Sequence, residues 1–169
     1  MDRNYILKIF PEIRKIKSRP LRSSVVHAWL IAIKREKWKR IDDIPFTLFI
    51  KTKKTLIQHT RSVTQMAMAV ARIRDDVDMD TVIAGGLVHD IGKLLEYTKK
   101  GSRFIKSSCG KRIRHPISGY GIALEAGLSA EIAHIIAAHS VEGDTVGRSR
   151  EAILIHHCDF IDFDIAKSE

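Results

Sequence analysis

Apolar residues recur at spacings of three and four along almost the whole chain, and no stretch alternates in the manner of a strand. The pattern predicts helices throughout. Pro20 opens one from Leu21 to about Lys39, since proline suits a first helical turn and breaks later ones. Ile41 to Pro45 reads as a connector. A further helix covers Leu56 to Arg74 and stops at the acidic run Asp75-Asp76-Val77-Asp78. Asp80 is expected to cap a helix reaching about Asp90, with Gly92 as its stop. Lys99 to Arg114, polar and holding glycine and serine, reads as a loop. Pro116 starts a helix that Gly127 ends, Ser129 caps one reaching His139, and Ser149 caps a last one through about Phe163. The expected fold class is all-α.

The stripes on these helices contain residues that do not belong in an ordinary core. Val63, Met66 and Val70 form one apolar stripe, and stepping back by four places His59 on it. Ile132, Ile135 and Ile136 lead to His139. Val82 precedes His89 by two turns, and Ile83 and Leu87 share a face with Asp90. On the last helix Ala152, Ile155 and His156 share a side with Asp159 and Phe163. A buried carboxylate is costly unless it is paired or bound to a cation. Several inward imidazoles and carboxylates, with His115 at a helix start, are all satisfied by a shared divalent transition metal.

Composition narrows the picture. The chain has 169 residues, 44% hydrophobic and 29% charged, as expected of a packed domain. No apolar run approaches the roughly 20 residues of a membrane span. Met1-Asp2-Arg3-Asn4 lacks a signal layout, and two distant cysteines, Cys109 and Cys158, suit a reducing compartment; a cytoplasmic location is expected. The net charge of +9 is unevenly spread. Residues 1–54 hold 15 basic and 5 acidic side chains, and residues 99–114 hold 7 basic and none acidic. Such patches draw polyanions, so RNA is a candidate partner for the basic N-terminal third, and a solvated helical surface is the plainer alternative. Trp29 and Trp38 there read equally as core or as stacking platforms. Homo-oligomerisation is a further expectation.

The ordered series resembles the HD-domain superfamily of metal-dependent phosphohydrolases. It is carried by Gln58-His59-Thr60-Arg61, Gly86-Leu87-Val88-His89-Asp90-Ile91-Gly92-Lys93, His115-Pro116-Ile117-Ser118-Gly119, Ala138-His139-Ser140 and Cys158-Asp159-Phe160. The resemblance implies an HD-type helical bundle over residues 46–169, with residues 1–45 as a basic helical extension packed on it. It implies that His59, His89, Asp90 and Asp159 hold one metal, with Asp90 bridging to a second that His115 and His139 also bind. One or two ions of iron, manganese, nickel, cobalt or zinc fit such a mixed donor set. Asp90 and Lys93 take the catalytic roles, Lys93 by touching a substrate phosphate. His156 reads as a partner behind the ligands or as a partly exposed helix histidine; His27, His134 and His157 read as structural.

The implied activity is hydrolysis of a phosphoester or phosphoanhydride in a nucleotide, a dinucleoside polyphosphate or an RNA end. A non-catalytic module that senses nucleotide or RNA is the alternative. The cationic segment from Lys99 to Arg114 runs between two proposed ligands, Asp90 and His115. It is expected to act as a lid, with Arg112 and Arg114 binding substrate. Ser140-Val141-Glu142 follows His139 in place of Gly-Tyr-Pro, which argues against cyclic di-GMP as substrate.

Overall fold

The computed structural model describes residues 1–168, which form helices and one small hairpin. Helix α1 (Arg3–Ile9) is capped by Asp2, whose carboxylate accepts the Tyr5 amide. A 3-10 turn (Pro11–Lys15) leads to α2 (Arg19–Arg35), with Ser18 as cap and Pro20 in the first turn. This helix stops short of Lys39, and Lys37 takes a positive φ of 53° just beyond it.

Helix α3 (Leu56–Ala71) starts at a reciprocal cap between Thr55 and Gln58. Helix α4 (Met79–Val88) is capped by Asp78, not by Asp80 as expected. Asp80 instead accepts the backbone amides of Lys17 and Ser18, both at 2.8 Å, and so ties α4 to the N-terminal segment. A turn at His89–Gly92 joins α4 to the short α5 (Lys93–Glu96). Helices α6 (His115–Glu125) and α7 (Ala130–Ala138) meet at Gly127, whose φ of +70° closes the end of α6 as its sequence position predicts. A 3-10 turn (Val141–Gly143) precedes α8 (Arg150–Ser168), longer than expected.

The segment after α5 is not all loop: β1 (Tyr97–Lys100) pairs antiparallel with β2 (Arg103–Lys106), Thr98 opposite Ile105. Its apolar residues do not alternate, because Phe104 and Ile105 are adjacent and half-buried Lys106 shares Phe104's side of the strand. The all-α class stands, with this hairpin as an attachment.

The N-terminal helices and the rest share one core. Ile6, Phe10, Ile13 and Trp29 are fully buried in the same cluster as Val63, Leu87 and Ile135. The two tryptophans are anchored on the helices that flank the turn carrying His89 and Asp90. Trp29 Nε1 donates to the Leu87 carbonyl at 3.1 Å and Trp38 Nε1 to that of Leu94 at 2.8 Å. Gly92, inside this turn, lies so close to α6 that a Cβ would sit 2.0 Å from the His115 carbonyl oxygen. That approach sets Asp90 and Lys93 against His115.

Candidate metal centre

Five separate stretches deliver six side chains to one buried point. His59 comes from the first turn of α3, His89 and Asp90 from the turn after α4, and His115 from the start of α6. His139 caps the end of α7, and Asp159 lies midway along α8. His59, His89 and His139 are wholly buried, and Asp90 and His115 nearly so. The apolar stripe used to turn His59 inward needs revision: Val63 is buried, yet Val70 is exposed. The inward face of α3 instead runs through Leu56, His59, Val63 and Ala67.

The donor atoms fall into two triads, His59–His89–Asp159 and Asp90–His115–His139, and within each the atoms lie within 4.8 Å of one another. Asp90 spans both. Its Oδ2 is 3.3 Å from His59 Nε2 and 3.5 Å from His89 Nε2, while Oδ1 is 3.2 Å from His115 Nε2 and 3.6 Å from His139 Nε2.

The ring orientations follow from what lies behind each imidazole. His89 and His139 donate their Nδ1 protons to the carbonyls of Gly86 (2.7 Å) and Ile136 (2.8 Å). His59 faces Asp162 at 2.6 Å and His115 faces Glu96 at 3.0 Å, again through Nδ1. All four rings therefore turn Nε2 toward the centre. There the Nε2 atoms of His59 and His89 stand 3.4 Å apart and those of His115 and His139 3.2 Å apart. His115 and His139 already give their Nδ1 protons to Glu96 and the Ile136 carbonyl, so as neutral rings they meet acceptor to acceptor, and Asp90 Oδ1 has no hydrogen-bond partner. A cation at each triad satisfies these atoms together, so the residues fit divalent transition metals.

Charge reinforces this. Burial pushes the His59 imidazole down, but Asp159, Asp162 and Asp90 outweigh it and hold its pKa up at about 10. His89, with no such carboxylate behind it, is driven down to about 4 by burial. Asp90 stays well below the usual carboxylate range despite its burial, because Lys93 and the histidines surround it. Asp159 is lowered too, against its burial, by His59.

Lys93 Nζ donates to Asp90 Oδ2 at 2.5 Å, so the lysine supports the carboxylate from within the site. Beside the centre opens a cavity of about 550 Å³. Its walls include Phe46, Phe49, Tyr97, Phe160 and Phe163, and Lys93 and Arg114 supply its cations. Arg114 bonds Glu142 at 2.9 Å and lies over the Phe49 ring at 5.4 Å. Arg112 is exposed and lines no part of this cavity. His156 donates from Nδ1 to the His139 carbonyl at 2.6 Å, acting on the backbone behind a candidate ligand.

Asp162, Glu96 and Phe46 escaped the sequence reading. Asp162 lies one turn after Asp159 on α8, a spacing that could have flagged it. Phe46, stacked on His59 with ring centroids 4.6 Å apart, and Glu96 are brought in only by tertiary packing.

An all-helical bundle that gathers this histidine and aspartate set is the arrangement of the HD domain. The family's sequence profile matches residues 56–164, and the chain belongs to that family. A curated relative is dihydroneopterin 2′,3′-cyclic phosphate phosphodiesterase of Methanocaldococcus jannaschii, 30% identical over 115 residues. The match takes in 63% of this chain and 45% of the relative, so the chain spans under half of that protein's length. No solved structure matches the chain.

Proposed function

We propose that the protein is a metal-dependent phosphohydrolase that cleaves a small phosphodiester carrying one planar ring. The observation that carries this reading is Asp90, whose two oxygens face two separate imidazole pairs beside an aromatic-walled cavity. His59, His89 and Asp159 would hold one divalent ion and His115 and His139 a second, with Asp90 between them. Bound there, such ions acidify a water and offset charge on the phosphoryl oxygens.

The chain's own residues do the rest. Asp162 and Glu96 accept hydrogen bonds from Nδ1 of His59 and His115 and so aim Nε2 inward. Lys93 keeps Asp90 ionised in a buried setting. Arg114 places a positive charge at the cavity wall, where a substrate phosphate meets it. Phe46, Phe160 and Phe163 exclude water and offer faces for a flat ring.

A cavity of about 550 Å³ lies within the range that holds a nucleotide-sized ligand. The relative's name, a phosphodiesterase for the cyclic phosphate of a pterin, supports a phosphodiester joined to a planar heterocycle. The test is hydrolysis of bis-p-nitrophenyl phosphate with added manganese, followed by nucleoside 2′,3′-cyclic phosphates, dinucleoside polyphosphates and short RNA. Turnover of the cyclic phosphates ahead of the larger substrates is expected. Tight binding of nucleotides with no turnover in any metal would instead establish the sensing module.

A further inference from the structure

Helix α8 has two distinct faces. One turns Asp159, Phe160, Asp162 and Phe163 toward the metal centre and its cavity. The opposite face carries Ile153, Ile161 and Ile165, exposed at 45, 49 and 57%, with exposed His157 among them. Across a groove of about 340 Å³, the end of α3 adds Val70. Ile73, just past that end, is 86% exposed. Single exposed apolar residues are ordinary on a protein surface, whereas a row of them on adjoining helices marks a contact surface.

The charges at the two ends of this row differ in sign. At its start Arg74 and Arg150 share one carboxylate, Asp76, at 2.6 and 3.5 Å, and Arg150, the looser of the two, keeps most of its side chain exposed. Near its finish stands Asp164, exposed and without an ion pair among the described residues. We propose that this surface is a twofold interface between two copies of the chain, with α8 packed antiparallel on the partner's α8.

The register follows from the sequence. About a twofold axis at His157, Arg150 and Asp164 are each seven residues away and Ile153 and Ile161 each four. Antiparallel pairing therefore sets Arg150 against the partner's Asp164 and Ile153 against the partner's Ile161, at spacings that keep all of them on one helical seam. Beyond them the partner's Ile165 lies toward Val70 and Ile73, so apolar meets apolar at the flank. A parallel arrangement would set Arg150 against the partner's Arg150 and lose this complementarity. The two metal centres face away from the contact and stay open.

Sedimentation velocity over a concentration series, with circular dichroism to check folding, tests the proposal. The wild-type chain is expected to form a dimer, and Ile161→Glu to give a folded monomer, since that side chain is half-exposed. Arg150→Asp and Asp164→Arg should each weaken the dimer by roughly tenfold or more. The double variant, with the charges exchanged, should recover most of the loss. A wild-type chain that stays monomeric, an Ile161→Glu variant that still dimerises, or an exchange that recovers nothing would each overturn it.

Discussion

Asp162 joins His59 to Lys54: its Oδ2 lies 2.6 Å from His59 Nδ1, and Lys54 Nζ donates to its Oδ1 at 2.5 Å. Glu96 plays the same part for His115 in the other triad, with Arg114 and Lys106 within 4 Å of its free oxygen. Each triad thus contains one imidazole backed by a carboxylate and one backed by a carbonyl. The carboxylate-backed ring is the better electron donor.

Replacing Asp162 by Asn should therefore cost about 10- to 100-fold in metal affinity while leaving the six donor residues in place. Calorimetric titration of the metal-free protein with manganese reads this directly. Affinity equal to wild type would show that Asp162 serves packing alone.

Metal uptake should release protons. Without a cation the His59 pKa is about 10, so that imidazole is protonated at neutral pH. A metal ligand must give up that proton. Affinity is thus expected to rise with pH up to about that value. Titrations in buffers of different ionisation heat should show close to one proton released per ion bound at the His59 triad. No dependence on the buffer would contradict the assignment of His59 as a ligand.

Stability should follow occupancy. An ion present at 100 times its dissociation constant stabilises the fold by about 2.7 kcal/mol. Scanning calorimetry with and without chelator should show the corresponding rise in Tm. Asp90→Ala, which takes a donor from both triads, should abolish both that rise and turnover.

The cationic segment divides in two. Arg114 lines the cavity and Arg112 does not, so most of the KM increase in a double neutralisation should come from Arg114. Arg114→Ala is expected to raise KM for a phosphate substrate by about tenfold, with a far smaller effect on kcat. Equal KM values for Arg112→Ala and Arg114→Ala would place the segment's charge, rather than this one contact, in control.

Glu12 ties the N-terminal segment to α3. It accepts from Arg61 Nε at 3.0 Å and Gln65 Nε2 at 2.7 Å. Burial raises its pKa, but these two partners prevail and hold it below the ordinary value. A depressed carboxylate stabilises fully above its unfolded pKa of about 4.3, and that contribution fades as pH falls through the folded value. Glu12→Gln should cost about 1–2 kcal/mol at neutral pH. Denaturant unfolding should show the gap between variant and wild type closing in acid, and a gap constant with pH would refute the linkage.

The helical class, the order of the longer helices and the meeting of the six side chains that the resemblance implied were legible in the sequence; α1 and α5 were not. Apolar spacing and local caps act within a few residues, and a charged or imidazole group on an apolar face already needs a partner. The hairpin after α5 was not legible, because Phe104 and Ile105 break the alternation and half-buried Lys106 takes an inward register position. Nor was the true cap of α4: local sequence points to Asp80 and assigns Asp78 to the acidic run that ends α3, whereas Asp78 caps the helix and Asp80 accepts the Lys17 and Ser18 amides.

Tertiary structure alone decided the details that tune the centre. Glu96 reaches His115, and Phe46 reaches His59, because the folded chain brings together segments well separated in sequence. The same packing put Arg114 in the cavity wall and left Arg112 in solvent. Local sequence carries which faces need burial and which groups need a counter-charge. Which partner answers each need depends on distances between helices, and those are set only when the shared core closes around Trp29 and its neighbours.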